Sequence, residues 1–119
     1  MKKIIILNNG ASEVYSLSEI EYILSEGCYS EFNLTDRRKL TSSKPIGYYE
    51  SILSDYGFIR IHKRYLLNLE HLSVIMPGNP LRVKLKSGEL LPVTKYKKLF
   101  LNIFMFEFDN YFKHLIRIC

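Results

Sequence analysis

The chain has 119 residues, 47% hydrophobic and 24% charged, with a formal net charge of +5 at neutral pH. That length suits one domain able to bury a core, and the composition is ordinary for a folded soluble protein. Cys28 and Cys119 have no metal-ligand spacing, no signal-peptide pattern follows Met1, and no uninterrupted apolar run reaches the ~18 residues of a membrane span, so a reduced cytoplasm is the expectation.

Residues 2–7 read as an Ile-rich strand ended by the Asn8-Asn9-Gly10 turn signal, and 13–17 as a short extended segment. Residues 18–24 fit a capped turn or a strand, and their β-branched and aromatic content tips them to strand. Ser25-Glu26-Gly27 turns the chain. Residues 29–34 show the period-two pattern of a half-buried strand, and 35–38 lead by a hairpin into 39–41. Ser42-Ser43-Lys44-Pro45 predicts a helix entry with Pro45 in the first turn. Ile46, Tyr49, Ile52 and Leu53 then form one helical face, and Gly57 is the stop.

In the next stretch, 58–71, apolar and polar residues interleave up to Ile61, and then His62, Lys63 and Arg64 come in a row. Unpaired polar groups buried in a strand would cost roughly 1–3 kcal/mol each, so the pattern predicts strand, exposed loop, strand. Residues 71–76 form another strand, closed by Pro77-Gly78-Asn79-Pro80. In 81–86, Leu81, Val83 and Leu85 point inward while Arg82, Lys84 and Lys86 line the other face. Ser87-Gly88 supplies a two-residue turn, and 89–93 returns. Thr94 is placed to cap a helix whose first turns hold Lys95, Lys97 and Lys98, cations that a nearby anion would favour. Residues 99–114 are apolar and aromatic on more than one side, which predicts burial against the domain or a partner chain, with a homodimer through residues after Leu99.

Enzyme chemistry finds no support. His62, His71 and His114 are scattered, no metal-ligand or phosphate-loop motif occurs, and Cys28 has no base partner. Asp36 and Asp55 fall in turn or cap positions. No cofactor and no metal are expected. The charge is divided unevenly: residues 58–98 hold nine Lys or Arg against two acids, a balance of +7, while the remainder sums to −2. A basic half is an electrostatic footprint for a polyanion, and the donors of His62, Lys63 and Arg64 suit phosphate oxygens and guanine edges. Arg60 fits either a phosphate contact or a pair with a Glu across the sheet, and Asn68 fits a structural hydrogen-bonder. Single-stranded nucleic acid would need exposed aromatics such as Tyr15, Tyr22 and Tyr29, for which core packing is the expected use.

Phe58-x-Arg60-x-His62-Lys63-Arg64-Tyr65-Leu66-Leu67-Asn68-Leu69, followed by Leu91-Pro92-Val93-Thr94-Lys95, resembles the signature of the LytTR family of bacterial DNA-binding domains. Glu26-Gly27-Cys28-Tyr29 matches the family's upstream segment, and the resemblance runs in register from about residue 20 to 99. Lys63-Arg64 stands where Arg-Ser is usual, and Thr94-Lys95 where Ser-Arg is usual. The resemblance implies a mainly β fold of small antiparallel sheets with one short helix, here with a C-terminal helix. It also implies sequence-specific binding of double-stranded DNA by loops entering successive major grooves, typically at imperfect direct repeats, in a transcription regulator. The implied contacts are Ser30, His62, Lys63 and Lys95, joined by Arg64 from the basic triad and by Lys97 and Lys98 on phosphate. Met1 falls close to the start of the resembling stretch, so 1–119 is expected to be a single module standing alone, with 99–119 an aromatic extension. A protein–protein adaptor using that extension is the alternative from another class.

Overall fold

The computed structural model describes residues 2–96. Strands β1 (Lys3–Asn8) and β2 (Ala11–Ser16) form a two-stranded ribbon turned at Asn9 and Gly10, both at positive φ. Five strands then build a central antiparallel sheet in the order β5 (Lys39–Ser42), β4 (Tyr29–Leu34), β3 (Ile20–Glu26), β7 (Tyr65–Asn68), β6 (Phe58–His62). A third sheet has the order β10 (Leu90–Val93), β9 (Leu81–Leu85), β8 (Leu72–Met76). Helix α1 (Ile46–Leu53) links β5 to β6.

The central sheet is buried on both faces because successive strand residues point to opposite sides. Ile23, Phe32, Leu34, Leu40, Phe58 and Leu66 meet Ile4, Ile6 and Tyr15 of the ribbon and Ile46, Tyr49 and Leu53 of α1. Tyr22, Ile61 and Leu67 meet Leu81, Val83, Leu85, Leu91 and Val93 of the third sheet on the other face. The alternation expected in β9 is complete, with Leu81, Val83 and Leu85 buried and Arg82 and Lys84 exposed.

Five local expectations change. Pro45 is the N-cap of α1 rather than part of its first turn. Ile52 is 41% exposed, since it sits about 90° around the helix from the centre of the Ile46, Tyr49 and Leu53 stripe. The ambiguous segment divides: Leu17–Glu19 is a 3₁₀ turn whose Glu19 carboxylate accepts from the Ser16 N–H at 2.8 Å, and the strand starts at Ile20. The β9–β10 connection holds three residues, 86–88, closed by the Leu85 N–H donating to the Glu89 carbonyl, with Gly88 at φ 98°. Among the tyrosines, Tyr15 and Tyr22 are buried as expected, whereas Tyr29 is exposed.

Register decides what lies at one end of the central sheet. Ser25 pairs with Ser30, Ser30 with Ser42, and the Ser25 N–H donates to the Arg64 carbonyl at 2.8 Å. The β3–β4 turn, the end of β5 and the β6–β7 turn therefore gather at the same end.

Candidate nucleic-acid interface

The β6–β7 connection is a strand pair with a bulge and a two-residue turn. Arg60 faces Leu66 and His62 faces Tyr65, so Ile61 is the extra residue in the ladder. Its side chain is fully buried under the third sheet. Its carbonyl, free of the ladder, accepts two N–H groups from the end of the chain's other basic segment, Thr94 at 2.8 Å and Lys95 at 2.9 Å. One backbone oxygen thus holds the Lys95 segment beside the 62–64 turn. Sequence separates the two by some thirty residues, and the bulge removes that separation.

Within the turn, His62 Nδ1 accepts from the Arg64 N–H at 3.0 Å, and the ring meets Tyr65 edge-on at 5.5 Å. This fixes the ring with Nδ1 as acceptor and leaves Nε2 with no partner among the described residues. Lys63 is exposed at the turn's tip. Arg64 reaches back to the β3–β4 turn, donating to the Ser25 carbonyl at 3.3 Å and to Glu26 at 3.5 Å, with its side chain half exposed. Arg60 is 12% exposed and lies on the α1 side of the sheet. Its guanidinium donates to the carbonyls of His62 (3.0 Å) and Lys63 and to Glu50 Oε1 of α1 at 2.9 Å. The Glu partner therefore comes from the helix packed on the sheet, and Arg60 braces the turn from behind.

Lys95 is exposed beside Tyr96, whose φ is 59°. With the Thr94 N–H committed to Ile61 and Tyr96 left-handed, no helix starts within residues 94–96. Lys97, Lys98, the remainder of the expected C-terminal helix and the aromatic extension from residue 99 lie outside the described residues.

Ser30 sits differently from the other predicted contacts. It is fully buried in β4, and its hydroxyl donates to the Lys44 carbonyl at 2.7 Å, tying the helix entry to the sheet. In this arrangement it offers no surface to an outside group. Asn68 is the structural hydrogen-bonder expected of it, donating to the carbonyls of Leu17 and Ile20 and accepting from the Glu70 N–H. Asp36 caps its own turn, accepting from the Arg38 N–H and guanidinium, which hold its carboxyl below the usual range. Exposed Tyr29 and Lys44 stand at the same sheet end as the 62–64 turn; Tyr29 falls in the upstream segment of the resemblance, whereas Lys44 carries no signal in sequence. Among the described residues no cluster of His, Cys, Asp or Glu could hold a metal ion, and no helix is long and apolar enough to cross a membrane.

Comparison with known proteins agrees with this geometry. No curated protein matches the chain. One solved structure with the same fold is the LytTr DNA-binding domain of a protein described as a methyl-accepting/DNA response regulator from Bacillus cereus. It is 17% identical, with a TM-score of 0.71, over 88% of this chain and 97% of that one. The family model of the LytTr DNA-binding domain matches residues 10–105. That match spans most of the chain, and the three-sheet fold agrees with it: the chain belongs to the LytTr DNA-binding domain family.

Proposed function

We propose that this chain is a sequence-specific regulator of transcription that reads double-stranded DNA with His62 and Lys63 from the β6–β7 turn and Lys95 from the adjoining segment. The observation that carries the reading is the Ile61 carbonyl, which holds both segments in one rigid frame. A neutral imidazole with one nitrogen open and two ammonium groups reach base edges in a major groove, where donors meet the N7 and O6 acceptors of guanine. Arg64 lends charge at the rim while it holds the neighbouring turn. Lys97 and Lys98 touch phosphate, which positions the domain without reading sequence. Ser30 is left out of the contact set because it is buried, and it shapes the surface through Lys44. Two domains side by side on successive major grooves fit imperfect direct repeats, with the chain acting in the cytoplasm as a homodimer.

The test is selection of bound sequences from a random duplex pool, followed by titration of the selected site at several salt concentrations. A repeated half-site is expected, with log K falling against log salt at a slope of order −3 to −6, about 0.9 per phosphate neutralised. Affinity that is flat in salt would overturn this reading. It would favour a protein–protein adaptor, for which the structure offers one surface: Ile5 (65% exposed), Leu7 and Val14 form an apolar outer face on the β1–β2 ribbon.

A further inference from the structure

The basic row on β9 has no role in the frame just described. Arg82 and Lys84 are exposed on the outer face of the third sheet, and Lys86 is exposed just past the strand's end. None of the three forms an ion pair or hydrogen bond through its side chain with any described residue. Their cross-strand neighbours are also unusual. Arg82 lies opposite Pro92 and Met76, and Lys84 opposite Leu90 and Val74. Antiparallel surfaces commonly set opposite charges across from each other, and here no acid faces either cation. Leu90 and Val74, 46% and 42% exposed, leave apolar surface on both sides of Lys84.

The row begins close to the base-reading end. Leu81 pairs with Val93, which leads directly into Thr94 and Lys95. From there the cations descend the side of the domain over about 14 Å at 3.4 Å per residue. Alternate strand positions lie ~7 Å apart, close to the spacing of successive phosphates in an extended backbone, and the apolar gaps suit sugar rings.

We propose that Arg82, Lys84 and Lys86 form a second DNA-binding surface, a track for the phosphate backbone of duplex flanking the site read by the 62–64 turn and Lys95. The assignment rests on the DNA-binding reading above, and extends it from a base-reading end to a side wall. Because the track runs away from that end, a duplex covering only the base-reading site does not reach it. A duplex extended by about one helical turn on each side, ~10 base pairs, does.

That length dependence is the test. The full chain and the variant R82Q/K84Q/K86Q are titrated against a short duplex holding only the selected site, an extended duplex, and scrambled versions of both, at several salt concentrations. The wild-type chain should bind the extended duplex at least ten-fold tighter than the short one, with a salt slope steeper by about 2 to 3, roughly 0.9 for each added phosphate contact. The variant should match wild type on the short duplex and lose the gain from extension. Equal wild-type affinity for both lengths overturns the track, as does a variant that keeps the gain or weakens both lengths alike. The last result would mean that the row acts only as diffuse charge. If the row serves an acidic protein partner, no length gain appears. Hydroxyl-radical footprinting of the wild-type complex gives a readout that needs no variant: protection must extend past the selected site. Discrimination between selected and scrambled short duplexes is scored separately. The track can therefore fail while base reading stands, and the scrambled pair still tests the track if base reading fails.

Discussion

Replacing Arg60 by Ala removes the brace behind the 62–64 turn without touching any exposed group of that turn. The side chain, 12% exposed, makes three hydrogen bonds, to the His62 and Lys63 carbonyls and to Glu50. Hydrogen bonds to charged groups contribute a net ~1.5–3 kcal/mol each when buried, but the turn carbonyls and a carboxylate 36% exposed can be taken over by water, so a loss of about 2 kcal/mol in folding stability is expected. The effect on DNA should be separable from that loss. A turn no longer held at both carbonyls presents His62 and Lys63 in several arrangements. One well-placed base contact discriminates by about 1–3 kcal/mol, so the preference for the selected duplex over a scrambled one should fall roughly ten-fold. Arg60→Lys keeps the charge but cannot fork to three acceptors, and should resemble Ala rather than wild type. Urea denaturation gives the first quantity, and paired titrations on selected and scrambled duplexes give the second. If Arg60→Ala weakens both duplexes equally and flattens the salt slope by about one, then Arg60 touches phosphate directly and the bracing role is wrong.

His62→Ala should weaken binding to the selected duplex far more than to random duplex and leave the salt slope nearly unchanged, because a neutral imidazole releases no counterion; equal loss on both duplexes would make the ring purely structural. Lys95→Ala should likewise fall mainly on the selected duplex, whereas Lys98→Ala should weaken both about equally and lower the slope by roughly one, as the same titrations will show. Asp36→Asn should lower the thermal midpoint at neutral pH. The Arg38 backbone N–H, followed by the Arg38 guanidinium, holds the folded carboxyl below its ordinary 3.8, so its stabilisation is present above that value and lost as pH falls through the folded one. A difference between Asp36→Asn and wild type that stays constant into acid would contradict the turn's electrostatics. Light scattering should show a concentration-dependent dimer that depends on residues after Leu99, and a strict monomer at high concentration would end that proposal.

Much of this fold was legible because the sequence repeats its own periods. Leu81, Val83 and Leu85 alternate with cations, and only a strand with one buried face can satisfy that spacing. Three polar residues after Ile61 required an exposed turn, and Gly57 at φ 87° ends the helix region as read. The site was legible as a set of residues and illegible as an arrangement. Nothing in the order Arg60-Ile61-His62 announces a bulge, because the extra residue is defined only by its partners on β7. The pair of hydrogen bonds from the Thr94 and Lys95 N–H groups to the Ile61 carbonyl depends on packing between two sheets, which a local pattern does not encode. Ser30 misleads for a related reason: period two places it on one face of β4, but only the helix entry covering that face shows that its hydroxyl is used inside. Arg60 looked open to phosphate because its acid partner, Glu50, lies on a helix ten residues earlier and not on a neighbouring strand.

The single oxygen of Ile61 that binds both Thr94 and Lys95 makes the domain a ruler. Two segments hung on one acceptor cannot slide relative to each other, so on the reading proposed above the interval between the bases they meet is set by the protein backbone and not by side-chain reach. New target preferences can then arise by exchanging the residues at positions 62, 63 and 95, each an exposed or half-exposed side chain on an unchanged frame. A target with one base pair inserted between the two contacted positions should be refused outright, since accommodating it would require breaking the joint that holds the ruler together.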